Sequence, residues 1–153
     1  MARRLVELIQ NHADELTARL IDRIRTHRTT IGLRKYDDLE LGRRARDLYS
    51  HLGYWLRTSS EPEVEATFRS FGAAERREGI PASDLVGVLV LTRRNLYEYL
   101  ETEVGDSAFD LRQEVELVAQ VIRFFDRAVY FAVRGWEEAA EVPAEAERAA
   151  ATP

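Results

Sequence analysis

The chain has 153 residues, of which 45% are hydrophobic and 32% charged, a mixture typical of one globular domain rather than a disordered polymer. It contains no cysteine, which excludes disulfides, thiolate metal ligands and thiol nucleophiles. No stretch approaches the ~20 apolar residues that a membrane span requires, and polar residues interrupt any signal-peptide core near the N-terminus. The sequence therefore predicts a cytoplasmic protein without a membrane partner.

The formal net charge of −5 is unevenly distributed along the chain. Residues 1–60 hold 12 Lys and Arg against 8 Asp and Glu, which gives +4 and leaves −9 for residues 61–153. An acidic protein binds nucleic acid poorly, because phosphate neutralisation supplies most of the non-specific affinity. We therefore expect no nucleic-acid partner, and we interpret the early basic cluster as a solvated face or as one half of a contact with an acidic surface. This cluster consists of Arg34, Lys35, Arg43, Arg44 and Arg46.

Apolar residues at helical spacing predict a first helix from Arg3 to Arg28, followed by a loop at Thr29–Gly32. A second helix is predicted from about Asp38 to Arg57. Gly53 lies in the interior of this helix, where glycine costs ~1 kcal/mol relative to alanine. We therefore expect another helix to cross closely at this point.

The clearest local signal is the segment Ser60–Glu63, which has the S-x-x-E form of a capping box with proline in the first turn. It predicts the start of a third helix that ends at Gly79, where glycine closes the last turn. Pro81 then fits the first turn of a fourth helix, which ends near Val104. Because residues 85–91 of this helix carry no polar side chain, we expect it to lie in the middle of a helical bundle.

The fifth and longest predicted helix extends from about Ala108 to Ala140, on the order of 45 Å at ~1.5 Å per residue. This exceeds the width of a compact domain of this size. The far end should therefore project, bend at Gly135 or pack on a second subunit, and we favour the last of these. Residues 141–153 are mostly Ala, Glu and Pro and predict a disordered tail, so residues 1–140 form the single folded domain. The predicted buried stripe of the helix is Leu111, Val115, Val118, Ile122, Phe125, Val129, Ala132 and Trp136.

This last helix carries aromatic residues on more than one side. Neighbouring residues in a helix point ~100° apart, so the adjacent aromatic pairs at 124–125 and 130–131 each face two directions. Such a helix can bury apolar surface both in its own domain and against a partner subunit. We therefore predict a homodimer whose interface includes Phe124, Tyr130, Phe131 and Trp136.

Asp126 is the candidate for a buried carboxylate, since it lies beside the predicted apolar stripe, where an ionised group is costly unless it is paired. Its candidate partners are the arginines of neighbouring helices, Arg76, Arg77, Arg93 and Arg94. One interpretation is a salt bridge with Arg76 or Arg93 that fixes the helix packing. The alternative is that such a pair lines a cavity and binds a polar group of a ligand.

No residue pattern in the sequence indicates catalysis or a cofactor. The chain has three histidines, and none lies in the fourth helix to serve as a haem ligand, so haem is not expected. Asp47 and His51 share a helix face, but two ligands do not make a metal site and no third is apparent. Motifs of P-loop, dinucleotide-binding, zinc-protease and serine-hydrolase enzymes are absent. We therefore predict neither an enzyme nor a bound metal or cofactor.

Two segments resemble a known protein family. Residues 71–81, with the sequence FGAAERREGIP, precede the apolar fourth helix and look like the core of the N-terminal domain of the RsbT co-antagonist proteins, the stressosome sensor subunits. Residues 124–129, with the sequence FFDRAV, resemble the last helix of that family. The resemblance extends from about Leu5 to Trp136. It implies an all-α, globin-like bundle of five or more helices that lacks haem, dimerises and acts as a sensory or partner-binding module.

Together, the sequence and this resemblance predict a non-enzymatic bacterial signalling domain that senses stress, homodimerises and binds protein partners. The alternative is a module that binds a hydrophobic small molecule or lipid in a haem-less globin pocket. The sequence does not separate the two functions, because a filled core and a lined pocket have the same apolar pattern.

Overall fold

The computed structural model describes residues 2–104 and 111–150, and within these ranges all regular structure is helical, with six α-helices, one 3₁₀ helix and no strand. This confirms the predicted all-α fold with a long C-terminal helix. None of the helices in these ranges is long and apolar enough to cross a membrane. The elements in chain order are α1 (Ala2–Asn11), α2 (Ala13–Thr26), the 3₁₀ helix (Arg28–Lys35), α3 (Asp38–Thr58), α4 (Glu61–Arg77), α5 (Ala82–Val104) and α6 (Leu111–Ala150).

The prediction of one continuous first helix is wrong, because His12 divides it into α1 and α2. His12 has φ −119° and ψ 18°, outside the helical range. The break allows the two apolar stripes to face different neighbours. α1 packs on α3 and buries Leu5 and Ile9, whereas α2 packs on α3 and α5 and buries Leu16 and Leu20.

The loop predicted at Thr29–Gly32 is also wrong, because these residues belong to the 3₁₀ helix. Thr30 departs from helical geometry within this segment, with φ −127° and ψ 24°. Its buried hydroxyl donates a hydrogen bond to the carbonyl oxygen of Ile24 in α2 (2.9 Å). This bond, together with packing on α5, holds the segment against the bundle.

The observed starts of α3 and α4 agree with the predicted ones, but the capping chemistry differs. Asp37 caps α3, since its Oδ1 accepts a hydrogen bond from Glu40 N (2.8 Å). Ser60 is the N-cap of α4, yet its side chain makes no capping hydrogen bond, so the predicted capping box is not formed. Its expected acidic member, Glu63, instead lies 2.8 Å from His51 of α3.

The turn between α4 and α5 is formed as predicted, but α5 is not fully enclosed. Gly79 ends the α4 segment with a left-handed φ of +76°. In the apolar run that follows, Leu85 and Leu89 are buried whereas Val90 is 40% exposed. α5 packs on α2, the 3₁₀ helix, α4 and α6, and the exposure of Val90 shows that one of its sides stays open to solvent.

α4 and α6 form the most extensive helix–helix contact in the described part of the chain. At their crossing, a Cβ atom on Gly72 would collide with the backbone carbonyl of Ala132, and one on Gly135 with the backbone carbonyl of Arg69. The two backbones are thus in direct contact, which requires glycine on both helices. The close crossing predicted at Gly53 is wrong, because the space around that residue is of ordinary size.

α6 is longer than predicted and turns a different face to the core. It extends to Ala150, ten residues beyond the predicted end near Ala140, because alanine and glutamate favour the helix. Val115 and Ile122 of the predicted buried stripe are 61% and 40% exposed. The division of the chain into a folded domain, residues 1–140, and a disordered tail, residues 141–153, stays a prediction. The predicted start of this helix at Ala108 lies outside the described residues. The face that α6 buries consists of Val121, Phe124, Phe125, Ala128 and Ala132.

Candidate functional site

A cleft of about 380 Å³, here named the α3–α4 cleft, opens between the middle helices of the bundle. It exists because α3 and α4, although consecutive in the chain, scarcely approach each other along their backbones. Residues of α2 and α5 close its inner side. Its volume lies within the range of small-molecule sites. The apolar part of its wall includes Leu20, Ile24, Leu41, Leu48, Phe68 and Leu89.

An ionic network forms part of the wall of the α3–α4 cleft. The side chain of Glu75 on α4 is 1% exposed, and its Oε1 accepts a hydrogen bond from Arg44 of α3. Arg44 also donates to Glu40 (2.9 Å) and lies over the ring of Tyr36, with its Cζ 4.0 Å from the ring centroid. The second oxygen of Glu75, Oε2, is buried and has no hydrogen-bond partner among the described residues. Glu75 is one of the residues that line the cleft, so this unsatisfied acceptor lies next to the cleft but is not itself accessible from it.

The charges of this network change the ionisation of its members. Hydrogen bonds from Arg43 and from Arg44 lower the pKa of Glu40 to about 2, from an ordinary value of 4.5. Burial raises the pKa of Tyr36, and the negative charge of Glu75 raises it further. At neutral pH a carboxyl group with the ordinary pKa of 4.5 is already ionised, so the lowered pKa of Glu40 changes its charge only in acid.

Because the pKa of Glu40 is lowered, the free energy of unfolding decreases when the pH is lowered into the acid range. A carboxyl group whose pKa is lower in the folded than in the unfolded state stabilises the fold above its unfolded pKa, and this contribution disappears as the pH falls from about 4.5 to about 2. The side chain is 33% exposed, so solvent screening limits the effect to about 1 kcal/mol. We expect Glu40→Gln to lower the free energy of unfolding at pH 7 and to flatten its pH dependence between pH 5 and 2, as measured by urea unfolding. An unchanged slope in the variant would contradict the assignment.

A stripe of exposed apolar side chains runs along α6 on the side opposite the core. Val115 is 61% exposed, Ile122 40% and Tyr130 57%. At ~100° per residue these three positions fall within ~80° of one another around the helix axis. Arg123 and Asp126 lie beside these three residues and are also exposed. Neither forms an ion pair with another side chain in the part of the chain that the structure describes. These five residues are named the outer α6 face.

A family model described as the RsbT co-antagonist protein RsbRD N-terminal domain matches residues 14–151. The chain belongs to this family. It is a stress-signalling domain of the RsbT co-antagonist type, and the resemblance carried by residues 71–81 and 124–129 is confirmed. Neither a curated protein nor a solved structure matches the chain.

In this RsbRD-type domain, the four residues predicted at the dimer interface have different surroundings. Phe124 is completely buried and packs edge-on against Phe68, so it belongs to the core and its assignment to an interface is wrong. Trp136 is half-buried, and its Nε1 donates a hydrogen bond to a backbone carbonyl in the turn between α4 and α5 (2.8 Å). Phe131 is also half-buried, next to α4. Only Tyr130 of the four is mainly exposed.

The buried ion pair predicted at Asp126 is not formed. Asp126 is exposed, because the buried face of α6 is rotated relative to the predicted stripe, and no described ion pair joins it to Arg76 or Arg93. Arg76 lies instead over the ring of Trp136, with its Cζ 4.1 Å from the ring centroid. Burial raises the pKa of Tyr97, while Arg93 lowers it and Asp126 raises it. Asp126 therefore lies near Tyr97 of α5, at the surface rather than in a pocket.

Asp47 and His51, the pair considered as a minimal metal clip, both line the α3–α4 cleft but interact with other residues. His51 Nδ1 lies 2.8 Å from Glu63 Oε1, and Asp47 accepts a hydrogen bond from Arg43 (3.2 Å). In residues 2–104 and 111–150, no group of three or more His, Cys, Asp or Glu could hold a metal ion. The pair thus contributes polar groups to the edge of the cleft.

Reasoning from the sequence missed Glu75, although its position carried a signal. Glu75 follows Val64, Phe68 and Gly72 along the buried stripe of α4, at intervals of four, four and three residues. A charged residue on such a stripe requires a partner of opposite charge. That partner, Arg44, carried no comparable signal because it belongs to a run of arginines that reads as a solvated surface.

Proposed function

We propose that this chain is a non-enzymatic stress-signalling domain that forms a homodimer through the outer α6 face and binds protein partners in a signalling complex. The family supports the signalling role and the protein partners. The outer α6 face supports the dimer, because three large apolar side chains exposed along one side of a helix favour a contact with another protein surface. The proposed setting is the cytoplasm, because a sequence without cysteine fits a reducing compartment.

A second copy of the chain is the partner that best fits the outer α6 face. A two-fold axis places the same surface on both subunits, so that surface must be complementary to itself. The outer α6 face combines apolar side chains with one positive residue, Arg123, and one negative residue, Asp126. Within the described part of the chain, neither of these two residues has an ion-pair partner. In an antiparallel pair of α6 helices, each charge can approach the opposite charge of the second copy while the apolar residues are buried between them.

The proposed dimer is tested by placing a charge on the outer α6 face. In Ile122→Arg and Tyr130→Arg, dimerisation would bury an unpaired guanidinium, which is costly. We expect each substitution to weaken the dimer at least about tenfold, equivalent to ~1.4 kcal/mol, as measured by sedimentation velocity over a concentration series. Both side chains are partly exposed in the single chain, so the helical circular dichroism spectrum and the melting temperature should change little.

Leu39→Arg is the matched control, because Leu39 is a large apolar residue that is 81% exposed at the start of α3 and does not belong to the outer α6 face. It should sediment as the wild type does. If the Ile122→Arg and Tyr130→Arg variants are folded and dimerise as strongly as the wild type, the outer α6 face is not the dimer interface.

A further inference from the structure

We infer that the α3–α4 cleft binds a small amphipathic molecule with an apolar body and a hydroxyl or amine group that donates a hydrogen bond to Glu75. This site is separate from the outer α6 face, and its existence does not depend on the proposed dimer. Three properties of the cleft lead to this inference: its size and apolar wall, the unsatisfied oxygen of Glu75, and the balance of charge around that oxygen.

The size of the cleft suits a small organic molecule rather than one or two water molecules. At the ~30 Å³ that a molecule occupies in liquid water, 380 Å³ corresponds to on the order of ten non-hydrogen atoms. Apolar residues, mostly leucine, isoleucine, phenylalanine, valine and alanine of α2, α3, α4 and α5, form the larger part of the wall. Such a surface favours an apolar body, because its burial releases ordered water.

Glu75 gives the cleft a specific polar contact. Its side chain is 1% exposed, and Arg44 satisfies only one of its two carboxylate oxygens. Oε2 is buried without a hydrogen-bond partner. Leaving such an acceptor unsatisfied is costly, and more so when the group is charged. A donor group on a bound molecule would satisfy this oxygen once the carboxylate turns toward the cleft, whereas a carbonyl or ether oxygen would not.

The surrounding charges favour a donor over a carboxylate ligand. Arg44 interacts with both Glu75 and Glu40, and Arg43 interacts with both Glu40 and Asp47. Three carboxylates therefore share two guanidinium groups, which leaves one negative charge in excess. A fatty acid would add a second negative charge at Glu75, whereas an alcohol adds none and a protonated amine neutralises the excess.

Isothermal titration calorimetry of the full chain with octylamine, 1-octanol and octanoate tests the inference, because these probes share one apolar body and differ in the polar group. We expect saturable binding of one octylamine or one octanol per chain, and octanoate binding at least about tenfold weaker than either. Glu75→Gln should weaken octylamine at least about tenfold, since the amide removes the charge that receives the ammonium group. Equal affinities for the three probes, or no saturable binding of any, would overturn the inference.

A second pair of variants keeps the test decisive if Glu75→Gln does not fold. Ala74 lines the cleft and is exposed, so Ala74→Trp should fill the space and abolish saturable binding while the ion pair of Glu75 stays intact. Ala66→Trp is the matched control on α4, because Ala66 is exposed and does not line the cleft. Unchanged octylamine affinity in a folded Ala74→Trp variant would also overturn the inference. Sedimentation of the same proteins reports the dimer separately, so a failure of one proposal is distinguishable from a failure of the other.

Discussion

Replacing Gly72 or Gly135 by alanine is expected to destabilise the fold by about 3 kcal/mol, at the upper end of the range for overpacked sites. In each case the new methyl group would overlap a backbone carbonyl of the facing helix, that of Ala132 or that of Arg69. A flexible side chain could move aside, but backbone cannot do so without separating α4 from α6. The loss should therefore exceed the ~1 kcal/mol that alanine gains over glycine through helix propensity.

Gly53→Ala provides the matched control, because Gly53 is also a buried helix glycine but has room for a methyl group. The nearest atom to its Cβ position is Val6 Cγ1, at 3.9 Å, an ordinary van der Waals distance. This variant should be neutral or more stable by up to ~1 kcal/mol. Urea unfolding of the three variants measures the difference. Equal effects of Gly53→Ala and Gly72→Ala would contradict the close contact between α4 and α6.

Arg44→Met is expected to reduce the free energy of unfolding by about 3 kcal/mol, because it leaves the carboxylate of Glu75 buried without a positive partner. The expected value lies at the lower end of the range for broken buried pairs, since the side chain of Arg44 is 24% exposed while that of Glu75 is 1% exposed. Methionine keeps much of the apolar stem of the arginine, so the loss of charge rather than of packing should dominate.

The double variant Arg44→Met with Glu75→Leu distinguishes two possible causes of the lost stability. One is the buried carboxylate of Glu75 left without a positive partner, and the other is the loss of the arginine's own contacts. Removing both charges eliminates the uncompensated carboxylate, and replacing a buried pair by apolar residues is often neutral. We therefore expect the double variant to recover most of the stability lost in Arg44→Met, as determined by urea unfolding of the wild type, both single variants and the double variant. If Arg44→Met alone is as stable as the wild type, Arg44 does not compensate Glu75.

The starts of α3 and α4 and the turn at Gly79 were predictable from the sequence, because they depend on local chemistry. Gly79 needs only its own backbone freedom to adopt the left-handed conformation, and the start of α4 follows from Pro62, which fits only the first turn of a helix. The break at His12 was not predictable in the same way, because the sequence around it contains no glycine or proline. It is determined by which helices α1 and α2 pack against.

The orientation of α6 and the ionic network could not be deduced from spacing alone. α6 carries apolar residues on several sides, so periodicity did not decide between Phe124, which is in the core, and Ile122, which is exposed. Phe124 and Ile122 differ in burial because α4 packs along only one side of α6. In the same way, Glu75 and Arg44 lie 31 positions apart, and only the arrangement of α3 and α4 brings them together.

Native mass spectrometry of the purified chain, beside a denatured control, tests the central claim that this signalling domain acts as a homodimer. We expect a species of twice the 17.6 kDa chain mass in the wild type and in Leu39→Arg, and mainly the single chain in Ile122→Arg and Tyr130→Arg. Additional mass that disappears on denaturation would identify a small molecule retained by the fold. A wild-type protein that remains a single chain at every concentration would contradict the dimer.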